Sequence, residues 1–327
     1  MNKKHAKSSC CDAGVSRYGG KRRQCVSCGR TWTIRPKQTG RKRRRINPTS
    51  MIRYLNHERV PLIRERNHLS CSARSARLRR ERDDFLKQRK WSPIPVGQLI
   101  MIADAIVRRT AKGWHTWFFV LVRAVDDDNA IILPPKHRVG TETALGWRKV
   151  IAALPKSVLR RIMALVSDGH RGLTSEALWR DWLIQRCHFH LIARLQGRRS
   201  RWKASRHFAE GKRIYELVKR VLTERDVSVL PPIINELETI GWLSKSPEIR
   251  RTLSGFVSHY EQYRTYLNRP ELNLPTTNNS VETLNALIKS FCHRTRGFRT
   301  IKSLHAWITT LCKARGSIKC RKGNQQN

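Results

Sequence analysis

Three carboxylates stand out by where they fall. Asp104 interrupts the apolar run Ile100-Met101-Ile102-Ala103-Asp104-Ala105-Ile106-Val107, where a charge is costly unless a cation or donors meet it. An Asp at a sheet rim, paired with one of the many Arg, explains it equally well. Asp168 follows the apolar segment Ile162 to Val166 across Ser167, at the C-terminal end of an expected strand, where open α/β sheets place functional groups. Asp168-Gly169 is also a common turn dipeptide. Glu282 closes Thr276-Thr277-Asn278-Asn279-Ser280-Val281-Glu282, and Asn279-x-x-Glu282 is the spacing of a helix N-cap with its capping-box partner. Against that, Glu282 falls opposite Leu284, Leu287, Ile288 and Phe291 on the helix, beside Asn285 and Lys289, on a face expected to border a polar cleft. Together the three acquire a role that none has alone. Two Asp from strands and a Glu from a helix can hold two hard divalent cations through oxygen. Such a pair, about 3.5–4 Å apart, activates an attacking oxygen and stabilises a leaving one in phosphodiester cleavage and transfer. Asp126, Asp127 and Asp128 are adjacent, so their side chains diverge; that cluster reads as a turn.

A second chemistry is written in cysteine. Cys25-Val26-Ser27-Cys28-Gly29 is half of a zinc knuckle: thiolates at C-x-x-C spacing share one tetrahedral ion, and the glycine admits the tight turn. The other half is irregular, because Cys10 and Cys11 are adjacent and cannot copy the ordinary loop. Cys10, Cys11, Cys25 and Cys28 either hold Zn²⁺, with His5 or a distorted geometry completing the site, or remain reduced, unliganded thiols.

These groups need elements to hold them. Leu99 to Val107, Trp117 to Val125 and Ala130 to Leu133 are β-branched and aromatic runs, expected to form an antiparallel meander. A helix near Thr143 to Leu154, a strand at Ile162 to Val166, a helix near Ser175 to Leu183 and a fifth strand at Ile184 to His190 complete a mixed α/β sheet of RNase H-like order. Residues 191 to 275 change character. Ile214, Leu217, Val218 and Val221, then Leu253, Phe256, Val257 and Tyr260, follow helical spacing, which indicates an all-helical insertion. A last helical stretch begins near Ser280.

The remaining chain is basic. Of 327 residues, 67 are Lys or Arg and 24 Asp or Glu, a net charge of +43, and about half of it lies in the first 90 residues. A charge of this size calls for a polyanion with regularly spaced phosphates. Enough of the chain is apolar to build a core, no apolar run reaches the length of a membrane span, and the start MNKKHAKSSCC lacks the stretch of a signal peptide. Nine scattered cysteines fit a reducing compartment. The expected organisation is a zinc-ribbon-like segment over 1–40, a basic linker over 41–47 around Arg41 to Arg45, and a three-helix, helix-turn-helix module over 48–92. The catalytic core follows at 93–190, the insertion at 191–275 and the C-terminal core helices at 276–327. Within 48–92 the helices fall at Met51 to Leu55, Val60 to His68 and Ser72 to Lys87. The third carries Arg74, Arg77 and Arg80, which either enter a major groove or form a solvated basic face.

The segments Ile102-Ala103-Asp104-Ala105, Ser167-Asp168-Gly169-His170-Arg171-Gly172-Leu173, Gln185-Arg186-Cys187-His188-Phe189-His190 and Thr276 to Asn285 resemble, in order and spacing, the motif series of mutator-type DDE transposases of bacterial insertion sequences. The resemblance covers roughly residues 95 to 315. It implies an RNase H-like core with Asp104, Asp168 and Glu282 as ligands of Mg²⁺ or Mn²⁺, and strand cleavage and joining at terminal inverted repeats. It also implies a cytoplasmic, nucleoid-associated bacterial protein, a homo-oligomer on DNA and no membrane partner. The family's Cys-x-x-His falls on Cys187 and His190, kept as support residues, although a buried Cys and a satisfied His are the commoner case. Lys289, Arg294, Arg296 and Arg299 are candidate phosphate contacts or, equally, a solvated basic face. Many relatives carry a zinc ribbon ahead of the helix-turn-helix. A noncatalytic DNA-binding protein derived from a decayed element, or a different nuclease on the same fold, would share much of this pattern.

Overall fold

The computed structural model describes residues 10–18, 22–33, 49–56, 71–111, 113–202, 208–295, 298 and 300–320, in two units dividing at Asn47 and Pro48. In the first unit Val15–Arg17 (β1), Arg22–Cys25 (β2) and Thr31–Thr33 (β3) form a three-stranded antiparallel sheet. Cys25 is the one buried hydrophobic residue among those described in this unit. A unit this small lacks the core to hold itself together and needs a covalent or metal staple.

The second unit opens with helices Thr49–Leu55 (α1) and Cys71–Gln88 (α2). Met51, Leu55, Leu78 and Phe85 sink into the main core, and Tyr54 packs edge-on against Phe291 and Trp307. Glu81 is buried because it does two jobs: it accepts from the Met51 N–H, which the first turn of α1 leaves unpaired, and from Arg77 Nε, each at 2.8 Å. The expected middle helix, Val60 to His68, lies outside the described residues.

The central sheet is built from Leu99–Thr110 (β4), Gly113–Ala124 (β5), Asn129–Ile132 (β6) and Lys136–Val139 (β7). After helices Ala144–Ala152 (α3) and Lys156–Leu159 (α4) come Ile162–Ser167 (β8), helix Arg171–Trp179 (α5) and Leu183–Arg186 (β9). The strand order is β10-β6-β5-β4-β8-β9, where β10 is the short C-terminal strand Ser317–Lys319 and β7 also pairs with β5. The expected antiparallel meander is present, and β8 and β9 add to it in parallel. The acidic cluster is the β5–β6 turn, where Asp127 accepts from the Asn129 N–H at 2.8 Å.

Both faces of this sheet are covered, so its central strands are apolar at nearly every position. On β4, Leu99, Met101 and Ala103 face α3 and α5 through Trp147, Val150, Leu173 and Ala177. Ile100 and Ile102 face the other way, toward helices Asn279–Arg294 and Ile301–Arg315, through Leu284, Ile288, Phe291 and Trp307. The two-residue alternation therefore turns Asp104 toward the second helical face. Ile102 pairs with Val166, so the same register carried two residues further aligns Asp104 with Asp168.

Between β9 and the C-terminal helices lie His188–Trp202 (α6), Phe208–Thr223 (α7), Leu230–Leu243 (α8), Pro247–Val257 (α9) and Tyr260–Asn268 (α10), with a separate core of Ile214, Leu217, Val218, Leu253 and Phe256. The C-terminal helices named above are α11 and α12. No helix among the described residues is long and apolar enough to cross a membrane.

Three expectations need correction. The fifth strand stops at Arg186, and His188 already opens α6. Leu191 and Leu195, one helical turn apart, are buried and draw the chain into a helix there. The helix expected from Ser175 starts at Arg171, with His170 as its cap, and ends before Asp181, which takes a left-handed φ of 57°. The N-cap of α11 is Asn278, one residue early, and its side chain makes no cap bond. No capping box forms, because the Glu282 carboxylate is engaged elsewhere.

Candidate active site and cysteine cluster

Asp104 accepts from its neighbour's N–H, Ala105, at 2.8 Å and from Asn285 Nδ2 at 2.7 Å. Asn285 is one turn beyond Glu282 on α11, so one helix face brings both side chains to the strand. Burial pushes the Asp104 carboxyl up to about 8, aided by the adjacent Glu282 carboxylate, with Asp168 adding to the effect. The charges of two carboxylates in contact thus oppose each other. Asp168 stands further off. It sits just beyond β8, accepts from the His170 N–H at 2.9 Å, and reaches Asp104 through its field rather than by contact.

Cys187 and His190 are tied to this group, and the tie runs across long sequence separations. The Cys187 N–H donates to Ser167 O at 2.8 Å, beside Asp168. Its thiol donates to Asn278 Oδ1 at 3.0 Å and accepts from the Asn278 N–H at 3.3 Å, which anchors the start of α11. Three residues on, His190 Nε2 lies 3.1 Å from Glu282 Oε1. The Cys187 thiol and the Glu282 carboxylate together raise His190 to about 10. The His190 bond in turn holds Glu282 below the usual carboxylate range, with exposed Lys289 assisting. The Cys-x-x-His pair therefore fixes both the position of the Glu helix and the rotamer of its Glu.

Asp104, Glu282 and Asn285 offer oxygens of the kind that hard divalent cations take, whereas among the described residues only the cysteines bring three or more ligand atoms within 4.8 Å of one another. Beside the three carboxylates, Asn285 Oδ1 is buried with no hydrogen-bond partner among the described residues, an oxygen that burial penalises unless something accepts its lone pairs. Asn285 and Asn278 were not singled out as functional in the sequence. Asn285 was detectable only as the residue one turn from Glu282.

The basic candidates divide. Arg80 on α2 is exposed, whereas Arg77 is held at 2.8 Å by Glu81. Lys289 and Arg294 are exposed on α11, Arg294 donating to Ser290 O at 3.2 Å. The Arg74 side chain, Arg296 and Arg299 lie outside the described residues.

In the N-terminal unit the ligand atoms of Cys10, Cys11, Cys25 and Cys28 all lie within 4.8 Å of one another, with Cys10 and Cys28 sulfurs at 3.5 Å. Tetrahedral Zn²⁺ with Zn–S near 2.3 Å requires sulfurs roughly 3.8 Å apart, so the adjacent pair closes the site without His5, itself outside the described residues. Gly29, at φ 71°, donates to Cys25 O at 3.0 Å and makes the expected knuckle turn. Hydrogen bonding to Cys28 raises Cys11 to about 12, so bare thiols resist the ionisation that a soft cation would compensate. Protein prepared without chelator is expected to carry about one Zn²⁺ per chain, and Cys28→Ser close to none. Metal-free wild-type protein with an intact β1–β3 sheet would contradict this.

Residues 119–315 match the family model described as Transposase, Mutator family. No curated protein matches the chain.

Proposed function

The chain belongs to the Mutator family of transposases, and from that premise we propose that it is a DDE transposase with an RNase H-like core, acting on the terminal inverted repeats of a bacterial insertion sequence. The observation that carries this reading is the desolvated Asp104 in contact with Glu282 and within the field of Asp168. Asp104, Asp168 and Glu282 would hold Mg²⁺ or Mn²⁺, with Asn285 Oδ1 as a neighbouring oxygen donor. When bound, the ions supply positive charge to the attacking and leaving oxygens of an in-line displacement. Asn285 fixes the Asp104 rotamer, His190 fixes that of Glu282, and Lys289 offsets the charge of an incoming phosphate. In the first step a water oxygen bonds to phosphorus as the bond to the 3′ oxygen breaks, giving a 3′ hydroxyl. In the second that hydroxyl attacks a target phosphodiester and expels its 3′ oxygen.

The cysteine-bearing sheet and, separately, helices α1 and α2 with Arg80 exposed would each contact the element's ends, and pairing of two ends implies a homo-oligomer on nucleoid DNA. The test is incubation of the purified protein with a duplex carrying the element's ends and Mg²⁺ or Mn²⁺. Nicking that vanishes in Asp168→Asn supports the enzyme. Binding without cleavage under either metal would support a noncatalytic, DNA-binding derivative. His190→Ala removes the bond that orients Glu282 and is expected to slow cleavage about 10- to 100-fold, the usual cost of losing the partner of a metal ligand. An unchanged rate would show that His190 serves folding alone.

A further inference from the structure

A cleft of about 330 Å³ opens from Asp168 toward the helical insertion. Four arginines line it: Arg171 and Arg186 from the sheet side, Arg194 from α6 and Arg251 from α9. Arg186 is half-buried and aimed. Its Nε donates to Gln262 Oε1 at 2.7 Å, and its guanidinium lies 5.9 Å from the centre of the Tyr263 ring, which also lines the cleft. Gly169 makes room for it, since a Cβ there would come within 3.2 Å of the guanidinium carbon.

Among the described residues no ion pair neutralises this group. Arg186 is held by a neutral amide, and no ion pair involves Arg171, Arg194 or Arg251 among the described residues. Arg171 is moreover the first residue of α5, where the helix dipole opposes a cation. Like charges gathered at one cleft repel unless an anion sits among them. Asp168 at one end is the cleft's only carboxylate among its lining residues, too little for four guanidinium groups. Guanidinium groups are bidentate phosphate donors, and a nucleic-acid backbone supplies phosphates in succession.

We propose that this cleft binds the sugar-phosphate backbone of a single DNA strand leading to the scissile phosphate, with Arg194 and Arg251 gripping phosphates from the insertion and Arg186 nearest the reacting centre. The inference rests on the transposase reading and gives the insertion a job, that of clamping the strand. It names residues outside the basic groups of α2 and α11.

The test uses full-length protein and an oligothymidylate strand, with affinity measured across a salt series. Arg194 and Arg251 are exposed, so Arg194→Ala/Arg251→Ala should keep the wild-type unfolding midpoint. The expected result is roughly tenfold weaker binding and a salt slope shallower by about 1.4, near 0.7 for each lost phosphate contact. The charge-matched Lys219→Ala/Lys245→Ala variant, also exposed but away from the cleft, should stay close to wild type. Equal losses in the two pairs, or none in either, overturn the proposal. Asp168→Asn separates it from the catalytic reading: the expected result is loss of nicking with strand affinity no weaker than wild type. Persistent nicking in Asp168→Asn would defeat the catalytic reading, while the comparison of the two alanine pairs would still decide the cleft.

Discussion

Asp104→Asn is expected to lower metal-dependent DNA cleavage at least about a thousandfold, or some 4 kcal/mol of transition-state stabilisation, while raising the protein's unfolding midpoint without metal. Both follow from one fact. A carboxylate inside an apolar strand, in contact with Glu282, destabilises the fold unless a cation or a proton meets it. The substitution keeps the shape and removes the charge. The Asn285 amide, whose Oδ1 has no partner among the described residues, can turn to accept from the amide introduced at position 104. Such opposed effects mark a residue retained for chemistry at the expense of stability. A variant both inactive and less stable would make Asp104 a structural residue, and one with wild-type cleavage would remove it from the site.

Acid sensitivity is the second large effect, and it arises at the joint between sheet and insertion. His188 opens α6 with its Nε2 2.6 Å from Tyr263 O, between the rings of Tyr263 and Tyr266. Its side-chain neighbours, Gln185 and the two tyrosines, are uncharged at neutral pH. Burial lowers it from 6.5 to about 4, the Tyr263 carbonyl only partly opposing the shift. Above the unfolded value of 6.5 both states hold a neutral ring, and His188 contributes no pH dependence. As pH falls through that value the unfolded chain takes up a proton that the folded one refuses, so stability drops until the folded ring also protonates near 4. The whole window is worth about 3 kcal/mol. Urea midpoints measured near neutrality and near the acid end of the window should separate wild type from His188→Gln, whose profile is flatter by that amount. Parallel profiles would show that the folded ring titrates normally.

Much of the site was legible because it violates local rules. Asp104 breaks an apolar run, and strand alternation then assigns it the same face as Ile100 and Ile102, hence the Glu282 helix. The resemblance of four separated motifs to mutator transposases agrees with the family match over residues 119–315. What stayed hidden depends on contacts far apart in sequence. Ile184 to His190 reads as one strand until Cys187 meets Asn278, 91 residues away, and the chain turns into α6. Asn279 looks like the cap because Glu282 sits at the right spacing; His190, which claims that carboxylate, belongs to another element. Strands β7 and β10 are short edge segments, Lys-His-Arg-Val and Ser-Ile-Lys, with too little apolar alternation to register. The arginine cleft draws on four elements and has no linear signature at all.

The most direct test of the central claim is Mn²⁺ binding to full-length protein, followed by the paramagnetic signal of the free ion. Asp168 is the critical residue, because it acts on Asp104 by charge alone while Asp104 and Glu282 also share a side-chain hydrogen bond. A single shared site predicts that Asp168→Asn binds Mn²⁺ at least about tenfold more weakly than wild type, as Asp104→Asn and Glu282→Gln also should. Wild-type affinity in Asp168→Asn, with the other two variants impaired, would contradict a three-carboxylate centre.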